Sequence, residues 1–291
     1  MCSSDLSFDV DLKRLREAEA IAQFFAVWMP NDATDWSDWT HVERLVSIFK
    51  DSLSERFRHA LRVEDLEKNA KEKVLSGVLS IEDCRVVKTL DDLELLYSMG
   101  FRSFGLIWNT ANSLAFPNST DRNEMQKGLT PLGKEAIEWL NDRGGVVDVA
   151  HLSDGGFWDV VEISQKPFAA THSNARSVTD HPRNLTDEMI RALAESGGVI
   201  GLNFHPAFLS GNREGNRLED HVKHLNHLKN IGGEDIVAIG SDFDGVTGEL
   251  AIKDPTEMAV LFDALKKEGW SEGQIQKLAR DNVLRMLRDV W

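Results

Sequence analysis

The chain has 291 residues, 42% hydrophobic and 28% charged, with a formal net charge of −15. That length suits one barrel-sized domain or two ordinary ones, and the negative charge argues against nucleic acid and membrane surfaces as partners. The opening Met1-Cys2-Ser3-Ser4-Asp5 lacks the basic and apolar regions of a secretory signal. No apolar run nears the roughly 20 residues that span a bilayer, and Cys2 and Cys84 suggest no disulfide framework, so a cytoplasmic protein is expected.

In chain order, a helix over Asp11–Glu19 leads to an apolar strand at Ala22–Trp28, followed by a long helical stretch at Thr40–Lys73. Six further strands are predicted at Val74–Ile81, Arg102–Ile107, Val146–Ala150, Phe168–Thr171, Val199–Asn203 and Ile236–Gly240. Helical patterns separate them at Leu90–Met99, Pro131–Arg143, Asp154–Ser164, Thr186–Glu195 and Leu218–Asn230, and two more follow at Thr256–Glu268 and Ser271–Val290. Thr130-Pro131 and Thr186-Asp187-Glu188 are helix starts, and Gly100, Gly144, Gly197 and Gly232 mark helix ends. Strand–helix alternation argues an α/β fold on a parallel sheet. Without linker, repeat or low-complexity tract, residues 1–291 read as one domain. Seven strands fall one short of a closed (β/α)8 barrel, and the shortfall lies at the front. The expectation is a distorted TIM-like barrel lacking its first strand, with a seven-stranded doubly wound sheet as the alternative.

Several strands end on residues that carry chemistry. His151 closes Gly145–His151 and His172 closes Pro167–His172, each at the C-terminal end of a buried-strand pattern, where barrels build their sites. Two neutral imidazoles there form half of a divalent-metal site. Glu82 ends another strand, where a carboxylate can bridge two metals or be an ordinary loop acid. Asp242, in Gly240-Ser241-Asp242-Phe243-Asp244-Gly245, suits proton transfer or a substrate amine, and equally an Asp/Gly turn. Arg183, after the His172 loop, can grip a carboxylate or lie on the surface. His221, His224 and His227 fan over a wide helical arc and read as structural, and strand and loop packing is expected for Trp28, Trp36 and Trp39. There is no phosphate-binding glycine loop and no Gly-x-Ser-x-Gly nucleophile elbow.

From about Asp11 onward the chain resembles the renal (membrane) dipeptidase family, zinc peptidases of the amidohydrolase type. The resemblance rests on Val147-Asp148-Val149-Ala150-His151-Leu152-Ser153, Thr171-His172-Ser173-Asn174-Ala175-Arg176, His181-Pro182-Arg183-Asn184-Leu185-Thr186-Asp187, Gly197-Gly198-Val199-Ile200-Gly201, the Gly240–Gly245 segment and Asp281-Asn282-Val283-Leu284-Arg285. It implies a distorted βα barrel with two zinc ions bridged by Glu82, His151 and His172 on the second metal, Arg183 on the substrate carboxylate, and Asp242 serving the amine or proton transfer. It further implies dipeptide substrates tolerant of a C-terminal D-residue, attack by a metal-bound hydroxide, and a homodimer. Two departures stand out. The family's first strand carries a His-x-Asp pair, whereas the only early histidines here, His41 and His59, fall in the helical stretch. Three protein ligands would suit one zinc rather than two. Trp108 stands where some members place a substrate-polarising histidine, a role Asn109 or Asn112 would have to fill, and His205 stands at a tyrosine position. A catalytically impaired barrel acting as a binding or oligomeric protein, and a hydrolase of another small amide, remain as alternatives.

Overall fold

A computed structural model describes residues 8–30 and 38–291, so Cys2 and Trp36 lie outside the described residues. The described chain divides into two compact units: Ala20–Lys166 with Val290–Trp291, and Pro167–Asp289 with residues 8–19. Among the described residues no helix is long and apolar enough to cross a membrane.

The first unit carries β1 (Ala22–Trp28), β2 (Phe57–His59), β3 (Leu75–Glu82), β4 (Phe101–Gly105) and β5 (Val146–Asp148), all paired in parallel. At its centre β3 is buried along its length up to Glu82, as a run apolar on both faces requires. One edge of β3 is covered by β1 from Ser76 to Glu82. The other edge is shared: β2 takes Leu75–Gly77, and β4 begins at Leu79, with a register shift between Leu79 and Ser80. The expected helix Thr40–Lys73 is thus corrected to two helices, Asp38–Asp51 and Val63–Lys71, with β2 between them. Helices Leu90–Met99 and Pro131–Arg143 match the sequence reading. Thr89 and Thr130 cap their N-termini, and left-handed Gly100 and Gly144 end them.

The second unit carries β6 (Ala169–Ala170), β7 (Val199–Asn203) and β8 (Val237–Ser241), again parallel. Its core is drawn from the apolar faces of helices Asp187–Glu195, Leu218–Gly232 and Met258–Lys267, through Ile190, Leu193, Leu225, Leu228, Leu261 and Leu265. The final expected helix is interrupted by a π-helical turn at Lys277–Asp281. Every one of the seven expected strands is present, within three residues at each end.

Candidate metal centre

In the first unit, Glu82 ends β3 and is directly opposite Trp28 of β1 and Gly105 of β4. The next residue, Asp83, turns the chain with φ +80°, a left-handed conformation that costs a non-glycine residue energy. Its buried carboxylate accepts from Arg85 Nε at 2.8 Å and Asn112 Nδ2 at 2.8 Å. Burial, partly offset by these bonds, pushes the Asp83 carboxyl above its ordinary range. Arg85 also donates to the carbonyls of Met29 and Pro30, tying the segment after β1 to the turn after β3. His151 lies on the turn after β5, which closes when Ala150 N–H bonds the Asp148 side chain, so the strand ends two residues earlier than expected. The His151 carbonyl accepts from the backbone and side chain of Asn118. The strand ends bring His151 Nε2 to 2.9 Å from Glu82 Oε1.

Trp108 packs between two of these groups. Its ring is 5.1 Å from that of Trp28, edge to face, and 6.4 Å from His151. Trp28, expected in strand and loop packing, makes that packing against Trp108 while remaining 42% exposed. Asn112 donates to Asp83 and the Leu106 carbonyl and accepts from the N–H groups of Leu114 and Ala115, so its amide braces the loop. Asn109 is exposed. His59 lies on β2 opposite Gly77, toward the start of β3, and His41 Nε2 bonds the Trp28 carbonyl.

In the second unit His172 follows β6, its Nδ1 2.8 Å from Thr171 Oγ1. A Cβ on Gly201 would meet the Thr171 carbonyl at 2.0 Å and one on Gly240 at 2.3 Å, so both strands need glycine where the His172 segment passes. Arg183 is buried, not on the surface, and donates to the His172 carbonyl at 3.1 Å. Asn203, at the end of β7, donates to Asp242 Oδ2 at 2.9 Å. Asp242 itself sits at φ +71° after Ser241 at φ +38°, two consecutive left-handed residues that lift the carboxylate off the end of β8. Asn203 escaped the sequence reading, although a polar residue closing an apolar strand is the signal that singled out His151. The three helix histidines go separate ways: His221 to the Arg217 carbonyl, His227 to Asp187, and His224 between the Ala175 N–H and the Leu209 carbonyl. Burial pushes His224 down to about 4.

Within the first unit Glu82 and His151 set a carboxylate oxygen and an imidazole nitrogen 2.9 Å apart, and His172 in the second unit offers a further imidazole of the same donor chemistry. A carboxylate and two imidazoles make a donor set suited to borderline divalent cations, zinc among them. With Nδ1 of His172 engaged by Thr171, Nε2 is the nitrogen able to serve as ligand, the outer-sphere arrangement that fixes a ligating imidazole. The residues therefore fit a metal.

A family model described as membrane dipeptidase (peptidase family M19) matches residues 2–291. An uncharacterized protein in the pqqA 5′ region of Klebsiella pneumoniae is 36% identical over 275 residues, covering 90% of this chain and 99% of that protein. Dipeptidase tcpJ of Claviceps purpurea is 27% identical over 301 residues, covering 99% of this chain and 71% of its own. A metallopeptidase from Rhodobacter sphaeroides, solved with a phosphinate mimic of the dipeptide L-Ala-D-Ala, superposes with a TM-score of 0.90 at 29% identity, covering 100% of this chain and 92% of that one. The fold class is the expected α/β one, of the distorted TIM-like barrel type.

Proposed function

The chain belongs to the membrane dipeptidase family, peptidase family M19, and from that premise we propose that it is a zinc enzyme cleaving dipeptides, including those with a C-terminal D-residue. The observation that carries this reading is the 2.9 Å approach of Glu82 and His151, two potential ligands delivered by separate strand ends. The phosphinate dipeptide mimic bound to the Rhodobacter relative supports the stereochemical part. In this reading Glu82, His151 and His172 hold one or two zinc ions. Zinc there would supply Lewis acidity toward a peptide carbonyl and make water more acidic.

The remaining roles fall to this chain's own side chains. Arg183, buried and anchored on the His172 carbonyl, offers a desolvated guanidinium to the substrate's free carboxylate, where a charge-assisted pair is strongest. Asp242, oriented by Asn203, accepts a proton during attack on the peptide bond and returns it to the leaving amine. Trp28 and Trp108 form an apolar wall beside His151 that limits water around the ligands.

Metal titration with and without ligand substitutions tests this. Glu82→Gln and His172→Asn, one from each unit, should each weaken zinc binding by more than about 100-fold and abolish dipeptide cleavage, with circular dichroism unchanged. Zinc affinity unaltered in either variant would remove that residue from the ligand set. Equal kcat/KM for L-Ala-D-Ala and a dipeptide of blocked carboxylate would remove the proposed role of Arg183.

A further inference from the structure

A nitrogen-rich patch surrounds one aromatic ring in the second unit. His205 stacks on Phe208 with ring centroids 4.4 Å apart, His181 lies 4.6 Å from the same ring, and the Arg183 guanidinium lies 5.4 Å from it. Backbone hydrogen bonds fix both imidazole tautomers. His181 Nδ1 accepts from the Arg183 N–H and His205 Nδ1 accepts from the Ala207 N–H. Each neutral ring therefore carries its hydrogen on Nε2 and offers it as a donor. Among the described residues neither Nε2 has a hydrogen-bond partner, nor does the exposed Arg213 guanidinium have an ion-pair partner.

The local charge is opposite to that of the chain as a whole. The net charge is −15, yet the charges acting on His205 are the guanidiniums of Arg183 and Arg213. Burial and these guanidiniums hold His205 below its ordinary range and His181 at about 4, so both rings are uncharged donors at neutral pH. Half-buried donors beside fixed positive charge recognise an anion, and a second carboxylate is the anion that a dipeptide can bring.

We propose that this patch selects dipeptides whose C-terminal residue is acidic: Arg183 takes the main-chain carboxylate, and His181, His205 and Arg213 take the side-chain carboxylate. The inference rests on the dipeptidase reading and deepens it to a substrate class. A carboxamide of the same shape keeps one acceptor oxygen but replaces the other with an NH2 donor that opposes the imidazole donors, so glutamine is the discriminating control.

The test compares kcat/KM of the zinc-loaded chain for Ala-Glu and Ala-Gln, in matched stereochemistry at the second residue. Ala-Glu should be favoured by about tenfold or more, and Arg213→Gln should reduce that ratio by about threefold. As an independent readout, imidazole 15N resonances of His181 and His205 should shift on adding free glutamate and stay in place on adding glutamine. A chain that cleaves Ala-Gln as well as Ala-Glu overturns the acidic preference alone. A chain that cleaves no dipeptide overturns the dipeptidase reading and the preference with it.

Discussion

Arg183 is doing two things at once: its guanidinium holds the His172 carbonyl and faces the ring of Phe208. Arg183→Ala should raise KM for a dipeptide with a free C-terminal carboxylate by about 10–100-fold, the worth of one charge-assisted pair. The corresponding C-terminal amide should change little. Steady-state kinetics on both substrates decides the matter, since equal losses would mean that the arginine only supports the loop. Histidines at strand ends were legible because residue type and position coincide there. Asp83 and Arg85 were not, because their value lies in a left-handed turn and in contacts with Met29, Pro30 and Asn112 that are remote in sequence.

At the scale of elements, Gly201 and Gly240 allow β7 and β8 to pass the Thr171 carbonyl closely, and Thr171 leads directly into His172. Gly240→Ala forces a methyl group against that oxygen and the Gly201 backbone, and should destabilise the protein by about 1–3 kcal/mol. Thermal melting should register the loss, and zinc affinity should fall in the same variant as His172 is displaced. A variant with unchanged melting temperature would mean that the strand ends yield more easily than their packing implies. The strands themselves were readable as apolar runs bounded by turn residues. The short β2 was hidden because three residues are too few to break the helical period around Phe57–His59, and only its pairing with Leu75–Gly77 reveals it. The shared edge of β3 and its register shift are likewise properties of pairing, absent from any single segment.

At the scale of the whole molecule, His59, His181, His205, His221 and His224 are among the histidines held below their ordinary range with burial as the largest cause. The unfolded chain binds protons at these rings near the ordinary value of 6.5, whereas folded His224 resists until about 4. Their contribution to stability is therefore present above that ordinary value and is lost as pH falls toward 4, by about 3 kcal/mol for fully enclosed His224. Asp83 and Asp244, raised by burial, act in the opposite sense below neutral pH. The melting temperature should drop steadily between pH 7 and pH 4.5, and a flat profile would contradict the enclosed neutral rings. His224 also has a bearing on engineering. By accepting from Ala175 and donating to Leu209, one imidazole locks the loop after β6 and the short helix Pro206–Leu209 into a single exchangeable cassette. Grafting either segment from a homologue without its counterpart would strand a ring nitrogen in the interior, so recombination libraries should carry the two together.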